Sequence, residues 1–116
     1  MLFVCYPRCS TCKKAQKWLD EHGAVYEWRD IKEHNPTKDE LRAWHKKSGL
    51  PLRRFFNTSG QQYRALGLKD RLASMSEDEQ FRLLASDGLL VKRPLLITDD
   101  AVIPGFSEEA YAAAVR

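Results

Sequence analysis

The sequence predicts an α/β protein with a mixed four-stranded sheet, on three observations. Its 116 residues open as strand, turn, helix and strand within about 30 positions, the span of a βαβ unit. They close as two short strands joined by a tight turn and followed by a helix. Between these halves, capping signals and interrupted apolar patterning mark a helical insertion at about residues 37–88. Nothing like a linker flanks it, and the length suits one domain over 1–116.

Each element has a local reason. Leu2-Phe3-Val4-Cys5-Tyr6 is a short apolar run stopped by Pro7, the pattern of a buried strand. Ser10 or Thr11 can cap the helix that follows, with Ala15, Trp18 and Leu19 inward and Lys14 and Lys17 outward. Gly23 ends it. Ala24-Val25-Tyr26-Glu27-Trp28 alternates as a second strand. After the loop His34-Asn35-Pro36, Thr37-Lys38-Asp39-Glu40 is a capping box opening a helix that buries Leu41 and Trp44 and stops near Gly49-Leu50-Pro51. Residues 52–68 read as helical pieces broken around Asn57-Thr58-Ser59-Gly60 and at Gly67. Ser76-Glu77-Asp78-Glu79 is a second capping box, and its helix carries Phe81, Leu83 and Leu84 to Asp87-Gly88. Leu95-Leu96-Ile97-Thr98 and Ala101-Val102-Ile103 flank Asp99-Asp100, a two-residue hairpin turn. Ser107 caps the last helix, Glu108 to about Val115.

Composition narrows the class. Hydrophobic residues make up 43% of the chain, enough for one core, and no apolar run approaches the roughly 20 residues of a membrane span. Met1 to Pro7 lacks the basic and long apolar regions of a signal peptide. Low-complexity tracts and internal repeats are missing as well. A soluble, cytoplasmic protein without a membrane partner is expected. The net charge is +3, too mild to imply direct nucleic-acid binding. Its placement is more telling: residues 1–19 hold Arg8, Lys13, Lys14 and Lys17 and no acid. A second acid-free stretch, 41–69, carries Arg42, Lys46, Lys47, Arg53, Arg54, Arg64 and Lys69.

Three cysteines do not suit a disulfide-stapled secreted domain, which carries an even and denser set. Cys9-Ser10-Thr11-Cys12 is a CxxC where a strand gives way to a helix. Helix N-termini and nearby cations lower a cysteine's pKa from about 8.5, and the thiolate is the reactive form. Arg8, Lys13 and Lys14 supply cations, while backbone N–H groups of the helix start can point at Cys9. Cys12, one turn on, can resolve a mixed disulfide on Cys9. Two other readings stay open, a pair of unreactive helix-start cysteines and a zinc site. Zinc wants four ligands, and His22, His34 and His45 follow no ligand spacing, so no metal is assigned. Cys5, in an apolar strand, packs as a small hydrophobe. Finally, Pro94 begins a strand, where it cannot donate to the ladder, and Arg93 precedes it. In a CxxC fold of this strand order the proline is expected in cis against the thiols, with the Arg93 guanidinium near Cys9. The alternative is a surface arginine before a trans proline.

Taken together, Tyr6-Pro7-Arg8-Cys9-Ser10-Thr11-Cys12-Lys13-Lys14-Ala15, Tyr63-Arg64-Ala65-Leu66-Gly67-Leu68 and Leu90-Val91-Lys92-Arg93-Pro94-Leu95-Leu96-Ile97 resemble the arsenate reductase (ArsC) family. The resemblance is to its short Spx/MgsR-like branch and covers essentially the whole chain. It implies a thioredoxin-like fold, with Cys9 as nucleophile and Arg93 as the arginine before the cis proline that helps hold an oxyanion. Arg8, Ser10, Thr11 and Pro94 would line the substrate site. Two more arginines complete the anion site in the reductases. Here Asn57 stands where one is expected, and Pro104-Gly105-Phe106-Ser107 offers none for the other, which weighs against arsenate as substrate. Cys12 is absent from those reductases and typical of the Spx-like branch.

The implied activity is a thiol–disulfide oxidoreductase. Cys9 attacks, Cys12 resolves, and no cofactor is bound. Glutathione, glutaredoxin or a thioredoxin-type partner would supply the electrons. The alternative is a redox-switched regulator binding the RNA polymerase α-subunit, here through the basic 41–69 region. The chain stops at its last helix, without the longer charged tail of the Spx-like regulators.

Overall fold

A computed structural model describes residues 1–115. Strands β1 (Leu2–Cys5), β2 (Glu27–Asp30), β3 (Leu95–Ile97) and β4 (Val102–Pro104) form one sheet in the order β2-β1-β3-β4. β1 runs parallel to β2 and antiparallel to β3, and β3 is antiparallel to β4, so the sheet is mixed. Helices α1 (Ser10–Glu21) and α6 (Glu108–Ala114) belong to the two sheet-forming halves. Helices α2 (Lys38–Ser48), α3 (Gln61–Ala65), α4 (Leu68–Arg71) and α5 (Glu77–Ser86) make up the insertion. No helix is long and apolar enough to cross a membrane.

The period-2 alternation of β1 and β3 divides the interior. Phe3, Cys5 and Leu96 pack with Cys12, Ala15 and Leu19 of α1 and with Tyr111 of α6. Val4, Leu95 and Ile97 face the other way, into a larger cluster with Leu41, Trp44, Phe55, Phe56, Phe81 and Leu84 of the insertion. The insertion is therefore one wall of the core.

Most local expectations hold. Both capping boxes form: Thr37 accepts from the Glu40 N–H while Glu40 accepts from Thr37, and Ser76 with Glu79 repeats the arrangement. Gly49 ends α2 at φ 68°. Thr98 N–H donates to the Ala101 carbonyl (2.8 Å), closing the two-residue turn Asp99-Asp100. Thr98 Oγ1 also accepts from Ala101 N–H (2.9 Å), and neither Asp99 nor Asp100 has a positive φ, so the turn needs no glycine.

The second strand lies three residues later than expected. Ala24 N–H still bonds back to Leu19 of α1 (3.0 Å), and Val25 is 86% exposed. Pairing starts only where Glu27 N–H reaches the Met1 carbonyl (2.9 Å) and continues until Ile31 N–H reaches Cys5 (2.8 Å). Residues 24–26 are spent returning the chain from the helix end to the sheet, whatever their alternation.

A second finding is a short antiparallel clasp outside the sheet, Phe56 against Val91. Asn57 N–H donates to Leu90 (2.8 Å) and Lys92 N–H to Phe55 (2.8 Å), so the insertion grips the chain immediately before Arg93-Pro94. Gly88 sits under this region, where a Cβ would lie 2.0 Å from the Ile31 carbonyl oxygen. Only glycine allows that approach.

Candidate redox site

Past Cys5 the chain turns through Tyr6-Pro7-Arg8. Cys9 N–H closes the turn by donating to the Tyr6 carbonyl (3.0 Å), and Cys9, extended at φ −89° and ψ 122°, is the N-cap of α1. Ser10 and Thr11 are thus inside the helix and not its cap, because the closed turn already gives Cys9 the conformation from which a helix starts. No side chain caps this end. The first intrahelical bond is Lys13 N–H to the Cys9 carbonyl (3.1 Å), so the N–H groups before it have no intrahelical acceptor at the end where Cys9 sits. Cys9 is half-buried, and Arg8, Ser10, Thr11, Lys13, Lys14 and Lys17 are exposed around it.

Cys12 points inward and is 2% exposed. Its Sγ accepts from the Tyr6 N–H (3.3 Å), and it shares one buried cluster with Cys5, against which half-buried Cys9 packs. All three cysteines are free. The contact with Cys5, followed by burial, pushes the Cys12 thiol well above its usual range. The Cys12 thiol in turn pulls Cys5 down, helped by the Trp28 indole beside it and opposed by burial and the Asp30 carboxylate. Cys12 keeps its proton until an acceptor takes it, and Cys9 is the thiol nearest to solvent.

The Arg93–Pro94 peptide bond is cis. Pro94 is buried, and its carbonyl accepts from Gly105 N–H (2.8 Å), which ties the start of β3 to the end of β4. Arg93 stacks its guanidinium on Tyr6, 5.3 Å from the ring centre, and donates from Nη1 to the Leu89 carbonyl (3.2 Å). Its buried Nε has no partner among the described residues. Tyr6 thus joins Arg93 to the turn that places Cys9.

Sequence reasoning missed three contributors. Trp28 of β2 lies opposite Phe3 in the parallel ladder, which puts it on the Cys5 side of the sheet. Arg54 and Lys92 line a cleft of about 560 Å³ together with Thr11, Leu50, Gly105 and Phe106. The Phe56–Val91 clasp brings these two cations together, and no local spacing announces a pairing 35 residues apart. At the two places where an arginine is lacking, Asn57 is tied into the clasp and Pro104 to Ser107 form another wall of this cleft. The histidines are elsewhere: His22 stacks on Trp18, and His45 packs edge-on against Phe55 and Phe81. Among the described residues no three His, Cys, Asp or Glu side chains are placed to hold a metal ion.

Comparison with known proteins gives a consistent picture. The ArsC family profile matches residues 5–114. YusI of Bacillus subtilis, an uncharacterized protein, is 53% identical over 111 residues, covering 96% of this chain and 94% of that protein. The regulatory protein MgsR of the same organism is 25% identical over 107 residues, covering 92% and 83%. A crystal structure of an ArsC family related protein from Bacteroides fragilis superposes with a TM-score of 0.95 at 50% identity, covering 97% of this chain and 95% of that one.

Proposed function

This chain belongs to the ArsC family and has its thioredoxin-like fold, and from that premise we propose that it is a thiol–disulfide oxidoreductase. One observation carries the reading: half-buried Cys9 caps α1 without a competing side chain, with Cys12 buried one helical turn behind it. The Cys9 thiolate attacks one sulfur of a substrate disulfide. The substrate S–S bond breaks, half leaves as a thiolate that takes a proton, and the other half stays on Cys9 as a mixed disulfide. Cys12 then gives up its proton and attacks the Cys9 sulfur, which expels the second half as a thiol and leaves a Cys9–Cys12 disulfide. Glutathione, or a dithiol of the glutaredoxin or thioredoxin type, returns both to thiols at the expense of its own oxidation. A reducing compartment, the cytoplasm, keeps the resting protein in that form.

Arg93 and the helix N-terminus supply positive potential where thiolate charge develops. Arg54 and Lys92 face a cleft beside Thr11, where they suit the carboxylates of a glutathione-like or acidic peptide substrate. Arsenate is a poorer fit, since a compact dianion needs several donors converging on one point, and Asn57 and the arginine-free stretch 104–107 stand where two of them are expected.

The test is turnover of a model disulfide other than glutathione disulfide, and of arsenate, coupled to glutathione or thioredoxin, in wild type, Cys9→Ser and Cys12→Ser. Cys9→Ser should abolish disulfide turnover, while Cys12→Ser should accumulate a stalled mixed disulfide on Cys9. Equal residual activity in both variants would refute the assigned roles. A second reading, a redox-switched adaptor for the RNA polymerase α-subunit, draws support from the 41–69 surface. Lys46, Arg53, Arg54, Arg64 and Lys69 are exposed there and form no ion pair among the described residues. Oxidation-dependent capture of that subunit would favour it over catalysis.

A further inference from the structure

The third cysteine has no part in the two-thiol scheme, yet its surroundings are those of a working thiol. The alternation of β1 turns Cys5 towards α1, where Cys12 faces it across the sheet–helix interface, and each is 2% exposed. They line a common cavity of about 250 Å³ with Tyr6, Lys13, Gln16 and Trp28, so the two buried sulfurs face the same space. Cys12 lies one helical turn on from the N-cap Cys9 and shares the buried cluster with Cys5, against which Cys9 packs from outside. The order is therefore Cys9, Cys12, Cys5, from the half-buried position inward. That is a row with Cys12 in the middle, a shape suited to passing a bond along.

We propose that Cys5 is a third redox thiol that takes over the disulfide from Cys9. The inference rests on the oxidoreductase reading, which supplies the Cys9–Cys12 bond. The Cys5 thiolate attacks the Cys12 sulfur, a Cys5–Cys12 bond forms, the Cys9–Cys12 bond breaks, and Cys9 leaves as a thiolate. One disulfide is exchanged for another, with no net oxidation. The proton that Cys5 loses is available to Cys9. The oxidant throughout is the substrate disulfide that reacted first. Trp28 lines the same cavity beside the attacking sulfur. The oxidising equivalent then rests on two buried sulfurs, and Cys9 is free to take a second substrate. Reversal returns the bond to Cys9–Cys12 for reduction.

The chain carries a convenient cleavage point. Trypsin cuts after Arg8, which leaves Cys5 in peptide 1–8 and both Cys9 and Cys12 in peptide 9–13. Wild-type protein oxidised with glutathione disulfide, quenched with N-ethylmaleimide and digested should yield peptides 1–8 and 9–13 joined by a disulfide, with the maleimide on Cys9. Cys5→Ala should lose the joined pair and show only peptide 9–13 closed on itself. Closed peptide 9–13 without any joined pair in wild type would overturn the relay and leave the Cys9–Cys12 reading standing. A joined pair with the maleimide on Cys12 would also overturn it, since the bond would then run to Cys9. If neither species forms in wild type and no glutathione disulfide is consumed, both readings fall. Cys5→Ser, compared by thermal melting, separates loss of the relay from loss of fold.

Discussion

At the scale of single residues, the three thiols are distinguished by position more than by chemistry. Cys9 ends up at the surface because the turn it closes with Tyr6 stops β1 and starts α1 in the same few residues. Cys12, three positions on, falls on the inner face of the helix with Ala15 and Leu19. Iodoacetamide should accordingly label Cys9 at least about tenfold faster than Cys5 or Cys12 in the native protein, with the rates converging in urea. Mass spectrometry of timed quenches reads this directly, and equal native rates would contradict the burial described. The CxxC and Arg93-Pro94 were legible as motifs because each is contiguous in the chain. Trp28, Arg54 and Lys92 were not, since what they share is a location assembled from β2, the insertion and the approach to β3.

At the scale of elements, the helix starts follow local chemistry and one of them also ties the sheet to the insertion. Glu40 closes the α2 capping box with Thr37, and the same carboxylate accepts two bonds from Arg29 of β2, at 2.6 and 2.9 Å. Arg29 further donates to the carbonyls of His34 and Asn35, so one side chain gathers the strand, the loop and the helix. The Arg29 guanidinium, aided by the Thr37 N–H, holds the Glu40 carboxyl down at about 2. A carboxylate whose pKa is lower folded than unfolded stabilises the protein above the unfolded value, about 4.3, and that contribution fades as pH falls toward the folded value. Glu40→Gln should therefore cost about 1–2 kcal/mol at pH 7, with the deficit shrinking between pH 4.3 and 2. Urea midpoints of both proteins across that range measure it, and a pH-independent gap would discard the ion-pair explanation. The capping box was readable from Thr37 and Glu40 alone. Its tether to β2 was not, because it depends on the register that shifts the strand to Glu27–Asp30.

At the scale of the whole molecule, one sheet separates two cores that depend on each other. Leu95 and Leu96 are adjacent and fully buried, yet they belong to opposite faces, one against the insertion and the other against α1 and α6. Each mutation to alanine should lose about 2–5 kcal/mol, and both should move a single unfolding transition seen alike by tryptophan fluorescence and far-ultraviolet circular dichroism. Two separate transitions would show instead that the insertion folds by itself. The amino-acid sequence by itself determined the strand and helix inventory, the caps, the CxxC at a helix start and the arginine before the strand proline, since all are decided by neighbours a few residues apart. Tertiary structure alone decided that Cys12 lies between two thiols, that Tyr6 holds Arg93 to the CxxC turn, and that Arg54 and Lys92 share a cleft. Those relations join positions far apart in the chain, and only burial against one common sheet brings them within bonding distance.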